Sequence, residues 1–306
     1  MARREAVASE GELPLWRERL RGYSALVGGN RLSGWMVVLW PIGWALWLAG
    51  KGTPAFGILL SFVAGAVLLR AASHAIDGYF GAMLDAHKGR IARFPPDSER
   101  VEPGRAALVC VGLLLVVTWL VVALNPAVMW LGASWSVLAL GYLLVKRHLY
   151  LVQVYAGVLS GWGVLLVFAA VQGTVSHMGW TLFVATVFWA TACATWRAMA
   201  DYDDDLLLGA KSIAILLGEV DLIGQGVLYV CAFIALALVG RDAGLGGWYW
   251  SGLVVAMVLS GLAIRLARRR EPLRCRQALA LNGWIGMAIF LGIVLDFALR
   301  ASVVNA

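Results

Sequence analysis

The chain has 306 residues, of which 61% are hydrophobic and only 14% charged, and its mean hydropathy is +0.80. A water-soluble domain is nearer half apolar and a quarter charged, so a soluble globular chain is excluded, together with fibrous, disordered and disulfide-stapled classes. The formal charge of +7 comes from arginines spread over short connectors, which build no groove-reading helix, so nucleic acid is not an expected partner.

Residues 1–30 are polar and Arg-rich, without the apolar core of a cleaved signal peptide, and read as a short segment ahead of a membrane domain over 31–306. Nine apolar stretches follow, at about 32–50, 55–77, 106–124, 126–145, 150–172, 178–200, 222–240, 245–267 and 277–299. Each is long enough to cross a bilayer as a helix. The runs are continuously apolar rather than alternating, which predicts helices and not barrel strands. The expected fold class is an all-α membrane protein with nine transmembrane helices and no separate soluble domain.

Charge orients the bundle. Of the 25 Lys and Arg, 21 lie before the first stretch or in the connectors after the second, fourth, sixth and eighth. The opposite face has only Lys51, Arg241 and Arg300, and Arg70 sits inside the second stretch. Positive charge stays inside, which predicts a cytoplasmic N-terminus, an external C-terminus and a multi-pass membrane protein. The same arginines attract anionic lipid, so membrane lipid is an expected partner. Cys110, Cys193, Cys231 and Cys275 show no metal or redox spacing and read as small hydrophobes. Many of the 15 tryptophans, such as Trp35, Trp119, Trp180, Trp248 and Trp250, suit interfacial belts.

Ionisable residues at membrane helix ends are costly and so are functional candidates. One group closes the second stretch: Arg70, His74, Asp77, Asp85, His87, Lys88 and Arg90. Another closes the sixth: Arg197, Asp201, Asp203, Asp204, Asp205 and Lys211. Asp201 and Asp205 stand at i and i+4, which puts both carboxylates on one helix face about 6 Å apart. Paired oxygens of this kind suit Mg²⁺, which in turn serves phosphate groups. Lys146 and Arg147 would complete a clamp for a diphosphate. The plain alternative is a solvated helix end balanced by loop arginines; two such clusters on one membrane face favour the site.

These residues carry a resemblance. The segments LWPIGWALWLA (39–49), LLRAA (68–72), YLLVKR (142–147) and AMADYDDDLLLGAKSIAILLG (198–218) resemble the UbiA superfamily of intramembrane prenyltransferases, in particular its 4-hydroxybenzoate branch. The resemblance implies nine helices around a central cavity open to lipid, with two Asp-rich motifs that hold Mg²⁺ and an isoprenoid diphosphate. Asp201 and Asp205 match the second motif, D-x-x-x-D, and so carry the metal and catalytic roles; Lys211 and Ser212 match its KS pair, and Lys146 and Arg147 its KR pair. The first motif, N-D-x-x-D-x-x-x-D, departs. Asp77 replaces its Asn and Asp85 keeps its last acid, but Gly78 and Gly81 replace the two between. On a helix Asp77 and Asp85 lie about 12 Å apart, so the first Mg²⁺ site is expected to be weakened or partial.

Two readings follow. In the first, the chain transfers an isoprenoid from polyprenyl diphosphate to an aromatic, 4-hydroxybenzoate-like acceptor in quinone biosynthesis. Asp77, Asp85, Asp201 and Asp205 then hold metal, Arg90, Lys146, Arg147 and Lys211 bind diphosphate, and Arg70 takes the acceptor carboxylate or packs a helix. In the second, favoured by the two glycines, the fold binds an isoprenoid or quinone as a subunit or assembly factor, with a protein partner in a membrane complex.

Overall fold

The structure is a computed structural model that describes residues 32–69, 112, 125–145 and 149–304. The chain divides into two compact units, Met1–Leu32 with Val67–Val117 and Ser33–Ala66 with Thr118–Ala306. The second holds almost all of the described residues, and the contacts below are within it.

Every regular element among the described residues is helical. In chain order they are α1 (Leu32–Ala49), α2 (Phe56–Leu69), α3 (Pro126–Val145), α4 (Val152–Gln172) and α5 (His177–Ala200). Then come two short pieces, α6 (Tyr202–Leu208) and α7 (Ile213–Leu217), a 3₁₀ turn at Gly218–Val220, and the long helices α8 (Asp221–Asp242), α9 (Gly247–Leu266) and α10 (Pro272–Val304). Five described segments are long and apolar enough to cross a membrane: Val152–Gln172, His177–Ala200, Ile213–Asp242, Gly247–Leu266 and Pro272–Arg300. Of the nine stretches expected from sequence, seven coincide with described helices and that at 55–77 does so over Phe56–Leu69, its remainder lying outside the described residues; that at 106–124 also lies outside them, apart from helical Gly112.

The bundle is measured out by its charges. His177 and Arg197 on α5, Asp221 and Arg241 on α8, and Arg276 and Asp296 on α10 are each twenty residues apart with no ionisable Asp, Glu, Lys, Arg or His between. Twenty residues of helix rise about 30 Å, the thickness of the hydrocarbon layer. Polar ties, ionic or hydrogen-bonded, fasten the chain at both ends of this zone. At one end Arg276 bonds Asp201 and Arg270 bonds Asp221. At the other, His177 meets Asp242 at 3.1 Å, and Asp296 pairs with Arg300 at 2.7 Å while accepting the Gly246 N–H.

Between the ends, the outward faces are apolar. Ile223, Val227, Val230, Ile234 and Leu238 form an exposed stripe down α8, the surface expected where lipid is the solvent. Inside, polar and small residues do the joining. α5 is the most buried of the spans and packs on α4, α8 and α10. Trp196 Nε1 donates to the Tyr229 hydroxyl at 2.8 Å, which donates to Asn282 Oδ1 at 2.9 Å, linking α5, α8 and α10. Gln225 of α8 donates to the Ala192 carbonyl of α5 at 3.0 Å. α9 and α10 approach closely at Gly252, where an added Cβ would stand 2.6 Å from the Ala288 carbonyl oxygen. Trp180, Trp248 and Trp250 are exposed in the first turns of α5 and α9, as belt residues would be, but Trp44, Trp189 and Trp196 are wholly buried, and the Trp44 and Trp189 rings meet at a tilt of 55° with centroids 5.2 Å apart.

Candidate functional site

The second acidic cluster sits on a strap of chain joining α5 to α8 at the Arg197 end of the bundle. Helix α5 ends at Ala200, and Asp201 breaks the run with φ −106° and ψ 14°. The sequence pattern suggests a single helix face through the acids; instead they open a separate helix, α6. One helical bond still crosses the break, from the Asp205 N–H to the Asp201 carbonyl at 2.9 Å, so the two residues keep one-turn spacing. Among the four acids, Asp203 and Asp204 are exposed, whereas Asp201 and Asp205 are partly sunk into the protein. This is the face their i, i+4 relation selects.

Gly209 closes α6 in the left-handed conformation at φ 65°, a backbone state that glycine takes without steric cost. The chain then turns back through Lys211. Ser212 is buried and caps α7, its hydroxyl accepting the Ile215 N–H at 3.3 Å. The next N–H, of Ile213, donates to the side chain of Gln153 on α4 at 3.0 Å. Two short bonds therefore pin the strap immediately beyond Lys211. The Lys211 ammonium lies over the Tyr150 ring, 5.1 Å from its centroid. Tyr150 follows Lys146 and Arg147 in the sequence by only a few residues.

The strap is tied from α10 as well. Arg276 Nη2 donates to Asp201 Oδ1 at 3.2 Å, both side chains reaching solvent. At the far end of the strap, Arg270 donates to Asp221 Oδ1 through Nε at 3.0 Å, its Nη2 pairs ionically with the same oxygen at 2.8 Å, and it also donates to the Glu219 carbonyl. Asp221 is almost fully buried, at the α8 N-terminus, where the helix dipole favours a negative charge.

Of the candidate residues from sequence, the structure thus brings Asp201, Asp205 and Lys211 onto one strap. Arg70, Asp77, Asp85, Arg90, Lys146 and Arg147 lie outside the described residues. Arg276, Gln153 and Tyr150 are additions that sequence reading missed. Gln153 could have been suspected as a lone polar residue early in an apolar stretch; Arg276, 75 positions from Asp201, carries no local signal.

Among the described residues no three His, Cys, Asp or Glu side chains gather into a complete metal cage. Mg²⁺ does not need one. It keeps much of its water and binds through one or two carboxylates plus substrate phosphates. Asp201 and Asp205, hard oxygen donors one turn apart, fit that mode, and Lys211 adds the positive charge a diphosphate requires.

Comparison with known proteins gives a consistent result. The profile of the UbiA prenyltransferase family matches residues 38–291. A 4-hydroxybenzoate octaprenyltransferase of Xanthomonas campestris pv. campestris (strain B100) is 46% identical over 289 residues, covering 93% of this chain and 95% of that one. One from Xylella fastidiosa (strain M12) is 43% identical over 280 residues, with 92% and 94% covered. Among solved structures, the apo form of a UbiA homolog from Aeropyrum pernix K1 superposes with a TM-score of 0.73 at 21% identity, covering 87% of this chain and 98% of its own. A UbiA homolog from Archaeoglobus fulgidus, bound to DMAPP and Mg²⁺, superposes with a TM-score of 0.61 at 15% identity, with 88% and 98% covered.

Proposed function

The chain belongs to the UbiA prenyltransferase family, and from that premise we propose that it transfers a polyprenyl group from its diphosphate to a 4-hydroxybenzoate-type acceptor in quinone biosynthesis. The allylic C–O bond breaks and the electron pair leaves with the diphosphate; the freed allylic carbon bonds to an electron-rich ring carbon, and the ring loses a proton. The observation that carries this reading is the pair of half-sunken acids, Asp201 and Asp205, held one turn apart beside Lys211 at a membrane-zone end. Full-length likeness to octaprenyltransferases supports transfer over the reading as a lipid-binding subunit.

In this proposal Asp201 and Asp205 hold one Mg²⁺, and Lys211 binds the diphosphate. Bound there, Mg²⁺ would neutralise the charge that builds on the leaving diphosphate. Asp77 and Asp85 hold a weakened second ion, Arg90, Lys146 and Arg147 complete the diphosphate clamp, and Arg70 meets the acceptor carboxylate. The apolar walls of the bundle exclude water, which would otherwise capture the allylic cation.

The test is a membrane assay with labelled octaprenyl diphosphate and 4-hydroxybenzoate, with Mg²⁺ or with chelator. The native chain should turn over only with the metal. Asp201→Asn and Asp205→Asn should each lose about a hundredfold or more, the usual effect of removing one charge-stabilising group. Turnover indifferent to both chelation and Asp205→Asn would refute the proposal. If only the Gly78→Asp/Gly81→Asp variant is active, the lipid-binding reading stands instead.

A further inference from the structure

The turn between α9 and α10, on the Asp201 side of the bundle, holds six arginines within residues 265–276. Three have partners: Arg270 on Asp221, Arg276 on Asp201, and Arg274 on Glu271 at 3.7 Å and Gln277 at 3.3 Å. Arg265, Arg268 and Arg269 have no ion pair and no side-chain hydrogen bond among the described residues. These three, with Arg274, surround an open groove of about 630 Å³ between the two helices. Glu271 is its one acid, so the groove carries a clear excess of positive charge.

The floor is apolar. Leu262 and Leu266 share a face of α9 with Arg265, by i, i+3 and i+4 spacing, Arg268 and Arg269 follow in the turn beyond the helix end, and Leu281 lies one turn below Gln277 on α10. The floor does not end at the groove. It runs on into exposed Val258 and Val255 down α9, and into exposed Trp284 and Leu291 down α10. A cationic rim at the membrane boundary thus stands over two apolar tracks that descend into the hydrocarbon zone.

We propose that this groove binds an anionic glycerophospholipid of the adjoining leaflet. Its phosphate sits among Arg265, Arg268, Arg269 and Arg274, and its acyl chains follow the α9 and α10 tracks. The charges argue for the headgroup: three free guanidiniums and only one carboxylate match a phosphodiester and not a zwitterionic head, whose ammonium they would repel. The tracks argue against a soluble anion, which would leave Leu262, Leu266 and Leu281 unused. Such basic pockets between membrane helices are suited to acidic lipid heads, and guanidinium groups bind phosphate oxygens in pairs.

The test uses the full chain in detergent, with native mass spectrometry and thermal unfolding as readouts, so that it does not depend on turnover. The probes are dioleoylphosphatidylglycerol, dioleoylphosphatidylcholine, inorganic phosphate and inorganic diphosphate. Phosphatidylglycerol should stay bound and raise the melting temperature, phosphatidylcholine and inorganic phosphate should do neither, and diphosphate, whose proposed site is at Lys211, should leave lipid binding unchanged. Arg265→Gln/Arg268→Gln/Arg269→Gln should weaken that binding about a hundredfold, from about 1 kcal/mol per cation. Leu262→Trp is the second variant: it keeps every charge but fills the floor at a side chain 47% exposed, so folding is little affected. It too should lower binding, at least tenfold. Equal stabilisation by phosphatidylcholine, full competition by inorganic phosphate or diphosphate, or Leu262→Trp binding as the native chain does would each overturn the proposal, the last by reducing the groove to diffuse surface charge.

Discussion

Arg270 offers the sharpest test of how the strap is anchored. Its guanidinium pairs ionically with Asp221, donates one hydrogen bond to it and another to the Glu219 carbonyl, while its own backbone sits at φ 53°, a left-handed conformation unusual for a residue with a Cβ. Asp221 is 3% exposed at the side chain and Arg270 38%. Removing the partner of a fully buried charge costs about 3–5 kcal/mol. Here the arginine is partly hydrated and the α8 dipole helps hold Asp221, so Arg270→Ala should cost about 2–3 kcal/mol. Arg270→Gly loses the same bonds but removes the left-handed strain of about 1–2 kcal/mol, and gains unfolded-chain entropy that cancels part of it. It should therefore be more stable than Arg270→Ala by about 0.5–1 kcal/mol. Unfolding of the purified chain in detergent, followed by SDS titration, gives both values. Asp221→Asn and the double variant complete a cycle with an expected coupling of about 2 kcal/mol. Arg241→Ala, at an exposed position, is the control and should fall within about 0.5 kcal/mol of the native chain. The reasoning fails if Arg270→Ala behaves like that control, if the coupling vanishes, or if glycine proves worse than alanine.

Other expectations follow from the same contacts. Arg276 pairs with the Asp201 carboxylate at 3.2 Å and would compete with the Mg²⁺ proposed there, so Arg276→Gln should lower the Mg²⁺ concentration for half-maximal prenyl transfer several-fold; a higher requirement would contradict the competition. Gly252→Ala drives a methyl to 2.6 Å from the Ala288 carbonyl oxygen and should cost about 1–3 kcal/mol as α9 and α10 are pushed apart; unchanged stability in SDS titration would show that the helices yield freely. Asn282→Leu leaves the Tyr229 hydroxyl accepting from Trp196 but with no acceptor for its own proton, and should cost about 1–2 kcal/mol. Adding Tyr229→Phe should lower stability further in the same titration, because the buried Trp196 Nε1 then loses its acceptor as well.

The positions of the spans were written plainly in the sequence because lipid imposes a minimum apolar length. The stretch expected at 178–200 is observed at His177–Ala200, and that at 222–240 at Asp221–Asp242. The last was expected at 277–299 but begins at Pro272, five residues early. Arg274 and Arg276 had marked those residues as loop by hydropathy, although proline at a first helical position is itself a start signal. The pairing of Asp201 with Asp205 was legible from spacing alone. The break at Asp201, the cap by Ser212 and the tie from Gln153 were not, since each depends on a partner outside the local period or on a backbone angle.

Which face of each helix points inward was the hardest thing to read, and the reason is physical. In water, apolar residues mark the inside; in a bilayer both the core and the solvent are apolar, so that contrast disappears. Ile223 and Val230 are exposed on the helix that buries Gln225 and Tyr229, and exposed Leu262 sits two residues after buried Ser260. Thr186, Thr191 and Thr195, all buried on α5, return their hydroxyls to carbonyls one turn back, which lets a polar residue face the interior without a partner helix. The usable signal is thus inverted: within a span, the residues that lipid would exclude are the ones that find the protein. By that rule Gln225, Tyr229 and Asn282 predict the α5–α8–α10 contact from sequence, before any partner helix is known.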